Sequence, residues 1–171
     1  MISMNWEPQP TYIPGINVTD SDFFGAQIDA VSIELKDIEG TLINIWFGNQ
    51  SRFLQTSQGV LVRFPKMTKI IGIDPSWENY VSDDGKIEAY NAFGVKFLRE
   101  HPEIRGNFVV ASFDQIIEAN EAYHTELARL IVEHCEGWIR VDMSPLLLAQ
   151  FLQNEQLEVA EQDRYWGLFI R

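Results

Sequence analysis

The segment AVSIELKDIEGTLINIWFG (residues 30–48) decides the fold that the sequence predicts. From Val31 to Leu35 apolar and polar residues alternate, and a period of two is typical of a strand with one buried face. Residues 37–40 (DIEG) have the composition of a turn, and the apolar positions resume at Ile43. The segment therefore predicts an antiparallel β-hairpin.

Two more short strands are predicted directly after this hairpin. The segment GVLVRF (residues 59–64) alternates through Val60 and Val62, and Pro65 ends it. The segment KIIGI (residues 69–73) has the length and the β-branched composition of a further strand. The first half of the chain is therefore interpreted as an N-terminal antiparallel β-meander.

The second half of the chain alternates helical and strand patterns. The predicted elements are a helix from Asp83 or Asp84 to about Pro102, a strand GNFVVA (106–111), a long helix from Ser112 to Gly137, a strand WIRVD (138–142), a short helix from Pro145 and a last strand RYWGLFI (164–170). The predicted class is α+β, an N-terminal antiparallel β-meander followed by an alternating helix/strand half.

The domain prediction separates a short arm from one folded unit. Residues 1–27 contain Pro8, Pro10 and Pro14 and little periodicity, which indicates an extended N-terminal arm packed on the domain. Residues 28–171 are predicted to form a single α+β domain, because a chain of this length can bury roughly 70% of its unfolded surface.

The charge and the apolar pattern exclude several classes of partner. The net charge is −12, which disfavours binding to nucleic acid or to anionic lipid surfaces. The charge is also unevenly distributed, since residues 40–73 contain four basic residues and no acid. No apolar run approaches the roughly 20 residues of a membrane span, and the N-terminus lacks a signal-peptide pattern. We therefore expect a cytoplasmic protein without membrane contact.

The segment VEHCEGWIRVDMSP (residues 132–145) contains the one cysteine, Cys135, between His134 and Glu136. Consecutive helical residues point about 100° apart, so His134 would not face the thiol. No nucleoside-binding glycine motif and no spacing of metal ligands is present. We therefore predict a structural cysteine, no catalytic residues, no metal and no cofactor.

The apolar stripe of the predicted long helix is interrupted by polar residues. Asn120 lies near its centre and His124 lies one turn further on. One interpretation is structural, because a buried amide must find a hydrogen-bond partner. The alternative is a small polar pocket, in which His124 would transfer a proton.

Acidic side chains supply the main hypothesis about function. We expect a basic protein partner to bind the acidic residues Glu155, Glu158, Glu161, Asp163, Glu118 and Glu121, with Trp77 as an exposed anchor unless Trp77 packs on its own domain. The absence of a catalytic motif favours a binding protein over an enzyme. The predicted function is an inhibitor or immunity-type protein that neutralises a basic toxin or nuclease. The alternatives are a small enzyme or ligand-binding protein built around Asn120 and His124, and a self-associating structural subunit.

Overall fold

The computed structural model describes residues 39–45, 49–112, 121–142, 145–162 and 166–171. These residues form four helices and an eight-stranded sheet. The elements in chain order are β1 (Gly40–Ile45), α1 (Gln50–Arg63), β2 (Met67–Ile73), β3 (Tyr80–Val81), β4 (Ile87–Tyr90), α2 (Gly94–Glu100), β5 (Gly106–Ser112), α3 (Glu121–His134), β6 (Cys135–Asp142), α4 (Pro145–Leu152), β7 (Glu158–Gln162) and β8 (Trp166–Ile170).

The sheet is mixed, and its centre is parallel. The strand order is β3-β4-β2-β1-β5-β6-β8-β7. Strands β4, β2, β1, β5 and β6 run parallel to one another, whereas β3 and β8 are antiparallel to their neighbours β4 and β6, and β7 is antiparallel to β8. This arrangement is an open, doubly wound α/β sheet, in which helical crossovers join parallel strands.

Side chains of the central strands alternate between two apolar layers. Ile43 and Ile45 of β1 belong to the layer that helices α2, α3 and α4 cover. Leu42 belongs to the opposite layer, to which α1 contributes Phe53 and Val60. Both faces of β1 are therefore buried, as expected for a central strand of a doubly wound sheet.

The predicted β-meander was wrong. Strand β1 pairs with β2 and β5 in parallel, and the first strand of the predicted hairpin lies outside the described residues. The segment GVLVRF, predicted as a strand, is mostly the C-terminal half of α1, so Val62 is 83% exposed. The buried positions of α1 are Phe53, Ser57 and Val60, and their spacing of four and three residues is helical. This longer pattern decides the conformation over the short alternation.

The helix predicted to run from Asp83 or Asp84 to Pro102 was also misplaced. Residues 80–90 form the β3–β4 hairpin, and helix α2 occupies only Gly94–Glu100. The hairpin turn is fixed by Asp84, whose carboxylate accepts hydrogen bonds from the Ser82 hydroxyl and the Lys86 amide. Gly85 follows with a φ of 73°, a conformation that favours glycine.

Other predicted elements agree with the structure. The segments KIIGI, GNFVVA and WIRVD lie in β2, β5 and β6, and the short helix begins at Pro145. The predicted N-terminal arm, residues 1–27, lies outside the described residues, and the single-domain assignment stays a prediction. In the part of the chain that the structure describes, every helix is too short or too polar to cross a lipid bilayer.

Candidate functional site

The candidate site lies at the carboxyl ends of the parallel strands. Strand order reverses between β1 and β5, because β2 and β4 lie on one side of β1 while β5 and β6 lie on the other. Ligands of open α/β sheets bind in the crevice that such a reversal creates at the carboxyl edge. Asp74 follows the last residue of β2 and places a carboxylate at this edge.

Asp74 is held by its own loop. The residue is 1% exposed, and its Oδ1 atom accepts hydrogen bonds from the amide nitrogen of Ser76 at 2.9 Å and from the Ser76 hydroxyl at 2.6 Å. Its amide donates to the carbonyl of Tyr90 at 3.1 Å, which fixes it against the end of β4. The structure therefore positions one buried carboxylate next to two strand ends.

Residues 75–79, which we call the cover segment, pack over the end of β2. Trp77 is 2% exposed and its ring lies 4.7 Å from the ring of Phe53, which belongs to α1. Both rings occupy the space above Gly72, where a Cβ atom would lie 2.4 Å from Phe53 and 2.6 Å from Trp77. The absence of a side chain at Gly72 is therefore what lets Trp77 fold inward.

Polar contacts fix the outer side of the cover segment. The Gln50 amide group at the start of α1 donates to the Glu78 carbonyl oxygen at 2.6 Å and accepts from the Glu78 amide at 3.1 Å. On the other side, the amide of Asn91 donates to the Asn79 side chain at 2.8 Å. The cover segment is thus joined both to α1 and to the residue that follows β4.

Asn44 is a second polar residue near the strand ends. It is fully buried in β1, opposite Gly72 of β2, and neither its amide oxygen nor its amide nitrogen has a hydrogen-bond partner among the described residues. A buried polar group without a partner is uncommon in folded proteins and often indicates a missing water or ligand. Asn44 therefore offers a donor and an acceptor to a polar group at this edge.

Tyr90, the last residue of β4, is an unsuitable base. Burial and the neighbouring carboxylate of Glu88, to which the hydroxyl is hydrogen-bonded, raise the pKa of Tyr90 to about 12. Burial opposes ionisation of Glu88, but bonds from Lys69, 2.7 Å away, and from Tyr90 lower the pKa of Glu88 overall. The phenol therefore stays protonated at neutral pH, and its bond to Glu88 is structural.

The two residues of the predicted polar cluster have different outcomes. His124 is completely buried in α3, and Asn120 lies outside the described residues. An open cleft of about 370 Å³ lies beside the first turns of α3 and is lined by Glu121, Ala122, Thr125 and Glu126. His124 does not line this cleft, and the polar pocket around Asn120 and His124 stays a prediction.

The predicted partner-binding residues that the structure describes lie on several different elements. Glu155, Glu158 and Glu161 are exposed in or near β7, which is the edge strand at the opposite end of the sheet from β3. Glu121 is exposed on α3, whereas Glu118 and Asp163 lie outside the described residues. Trp77 packs on its own domain and is not available as an exposed anchor in this conformation. The basic protein partner stays a prediction.

Cys135 begins β6 and does not end a helix. Its thiol donates to the carbonyl of Trp138 at 3.3 Å, and burial raises the pKa of Cys135 to about 11. A thiol with such a pKa is a poor nucleophile near neutral pH. Among the described residues, no three His, Cys, Asp or Glu side chains cluster so as to hold a metal ion.

Sequence reasoning missed Asp74, although a signal was present. The segment IIGID is an apolar strand followed at once by an acid, and an acid in this position of an α/β sheet is placed at the ligand-binding edge. The signal becomes readable only when the strand is known to be parallel.

Comparison with known proteins identifies the fold. No family model and no curated protein sequence matches the chain. The MycE methyltransferase from the mycinamycin biosynthetic pathway, in complex with Mg, SAH and mycinamycin VI, aligns with a TM-score of 0.60 and 12% identity over 86% of this chain and 49% of MycE. The N-methyltransferase NodS from Bradyrhizobium japonicum WM9 aligns with a TM-score of 0.60 and 9% identity, over 85% of this chain and 93% of NodS.

A third solved structure gives the same result. The S-adenosyl-L-methionine methyl transferase from Silicibacter pomeroyi DSS-3 aligns with a TM-score of 0.58 and 12% identity, over 86% of this chain and 91% of that protein. The chain therefore spans about half of MycE and about nine tenths of the other two proteins. The fold is a Rossmann-like methyltransferase fold.

These similarities correct the predicted function. The prediction of an inhibitor or immunity-type protein was wrong, because the structural neighbours are methyltransferases. The comparison favours the alternative, a small enzyme or ligand-binding protein. The physical reason for the error is that net charge reports on solubility and association and not on the fold.

Proposed function

We propose that this protein binds S-adenosylmethionine at the carboxyl edge of the sheet and acts as a small-molecule methyltransferase. The observation that carries the proposal is Asp74, a buried carboxylate at the end of β2 beside the reversal of strand order. NodS, which shares the fold, has been solved with S-adenosyl-L-homocysteine bound, at a TM-score of 0.57 to this chain.

Asp74 suits the ribose of an adenosyl ligand. A carboxylate accepts hydrogen bonds from two vicinal hydroxyl groups, and dinucleotide-binding sheets use an acid at a strand end for this purpose. In the ligand-free protein the Ser76 hydroxyl donates to Asp74 Oδ1, so a ligand hydroxyl that bonds this oxygen takes the place of Ser76. Asn44 supplies a further donor and acceptor near the end of β1.

The sequence between β1 and α1 differs from the glycine-rich fingerprint of dinucleotide-binding sheets. The sequence from Trp46 to Gln50 contains one glycine, Gly48, whereas the dinucleotide fingerprint has three. Those glycines admit a pyrophosphate, a group that S-adenosylmethionine lacks. Asp74 and Asn44 therefore fit the adenosine portion of the ligand, and the ligand, when bound, would supply an electrophilic methyl group.

A cytoplasmic location is part of the proposal, supported by the single buried thiol.

Binding of S-adenosyl-L-homocysteine to the purified protein tests the proposal. Isothermal titration calorimetry of the parent and of Asp74→Asn is expected to show binding that the substitution weakens at least about tenfold, because a charged acceptor is lost. Asp83→Asn is the matched control, since Asp83 is exposed in the β3–β4 turn. The proposal fails if the parent does not bind, or if Asp74→Asn binds as tightly as the parent.

Methyl transfer is measured separately from binding. The parent is incubated with S-adenosylmethionine and small acceptors that carry amine, hydroxyl or carboxylate groups, and the S-adenosyl-L-homocysteine released is quantified. Acceptor-dependent release supports the enzyme. Ligand binding without release from any acceptor class would assign the protein to the ligand-binding proteins instead.

A further inference from the structure

Asp74 is inaccessible in the conformation that the structure shows. The residue is 1% exposed, and the amide and hydroxyl groups of Ser76 occupy Oδ1. A ligand hydroxyl group that bonds Oδ1 must displace Ser76, which belongs to the cover segment, residues 75–79. The proposed site is therefore closed before a ligand binds.

The contacts that hold the cover segment differ in strength. Trp77 is buried against Phe53 and forms an apolar anchor, with its amide bonded to the Asp74 carbonyl at 3.3 Å. The outer edge is held by two exposed hydrogen bonds between Gln50 and the backbone of Glu78, at 2.6 and 3.1 Å. Exposed hydrogen bonds exchange readily with water, so this edge is the part that releases first.

Gln50 is well placed to control the movement. It is the first residue of α1, and that helix is fixed to the sheet by Phe53 and Val60. Its side-chain amide donates one hydrogen bond to the backbone of Glu78 and accepts another from it. These two hydrogen bonds join helix α1, which is packed on the sheet, to the irregular cover segment.

We propose that residues 75–79 form a lid over Asp74, that the Gln50 side chain holds this lid closed, and that an adenosyl ligand enters when the bond pair between Gln50 and Glu78 opens. The inference rests on the proposed function for the identity of the ligand. The closed lid does not depend on the proposed function, because it is a property of the ligand-free protein.

Hydrogen exchange in the ligand-free protein tests the lid. The amides of Ser76 and Trp77 donate to Asp74 and not to Gln50, so their exchange reports movement of the whole lid. In Gln50→Ala these two amides are expected to exchange about five- to tenfold faster, because two exposed hydrogen bonds no longer oppose opening. Gln55→Ala is the control, since Gln55 is exposed on the same helix and its side chain forms no hydrogen bond with the described residues. Unchanged exchange at Ser76 and Trp77 would overturn the proposal.

Ligand binding tests the role of the lid. Stopped-flow association of S-adenosyl-L-homocysteine is expected to be about five- to tenfold faster with Gln50→Ala than with the parent or Gln55→Ala. Only molecules with an open lid bind the ligand, so both the association rate and the apparent affinity scale with the open fraction. Faster exchange with unchanged or slower association would refute control of entry by the lid. If neither protein binds this ligand, the proposed function fails, and the exchange result alone decides whether Gln50 holds the lid.

Discussion

Replacement of Gly72 by alanine tests the packing on which the candidate site depends. An alanine Cβ would lie 2.4 Å from Phe53 Cζ, 2.6 Å from Trp77 Cζ3 and 2.7 Å from Phe53 Cε1. All three distances are well below van der Waals contact, and the two rings are rigid. At least one ring must therefore leave its position.

The expected loss of stability follows from the cost of overpacking. Forcing one methyl group into a filled core typically costs about 1–3 kcal/mol. We expect the upper part of this range, because Phe53 and Trp77 are both buried and contact each other across the position. For a chain of this length, about 1 kcal/mol lowers the midpoint of thermal unfolding by roughly 2–4 °C.

Gly59→Ala is the matched control for this experiment. Gly59 lies in the same βα unit, exposed within α1, and a Cβ atom there meets nothing within 4 Å. Alanine is better than glycine in a helix by about 1 kcal/mol, so this variant is expected to be more stable than the parent. Urea unfolding of both variants measures the difference. A Gly72→Ala protein as stable as the parent would refute the arrangement of Phe53 and Trp77.

Three further predictions concern single side chains. Trp77→Ala should lower the free energy of unfolding in urea by about 3–5 kcal/mol, as large aromatic truncations do, whereas a cost below about 1 kcal/mol would place Trp77 at the surface. Cys135, whose pKa burial raises to about 11, should react with a thiol reagent at pH 8 only as the protein unfolds, and rapid labelling of the folded protein would contradict its burial. Hydrogen bonding and charge from Arg129, and then from Arg99, lower the pKa of Glu126, so this carboxylate stabilises the fold above the unfolded value of 4.5, and the effect is lost as pH falls through the lower folded value. Glu126→Gln should therefore cost about 0.5–1 kcal/mol at pH 7 and little at pH 3, and an equal cost at both pH values would contradict the ion pairs.

The strands could be located from sequence more reliably than their direction. Residues 70–73 and 108–111 are continuous apolar runs, and such runs are typical of parallel strands buried on both faces. The alternation in residues 31–35 favoured an antiparallel hairpin instead and directed the interpretation of everything up to Ile73. The strand prediction for GVLVRF was wrong for a different reason. Its three alternating apolar residues also fit the end of a helix, where two of them are buried and one is exposed.

The candidate site depended on contacts that sequence does not contain. Asp74 was identifiable as an acid after a strand, but its role at the edge requires the parallel register of Ile73 with Tyr90. The burial of Trp77 requires Gly72 to face Phe53, a residue nineteen positions earlier in the chain. A tryptophan in a predicted loop suggests an exposed anchor until that three-dimensional neighbour is known.

Stability and access to Asp74 are opposed in this fold. The contact between Trp77 and Phe53 stabilises the α1 face of the sheet, and it also holds residues 75–79 over the carboxylate. A ligand that needs the lid open must therefore work against packing that the folded protein favours, which lowers its apparent affinity by the closed fraction. Substitutions that loosen this packing, such as Gly72→Ala, should lose stability and at the same time expose Asp74. If Asp74 were instead less accessible in the less stable variant, the packing of Trp77 would stabilise the open lid and not the closed one.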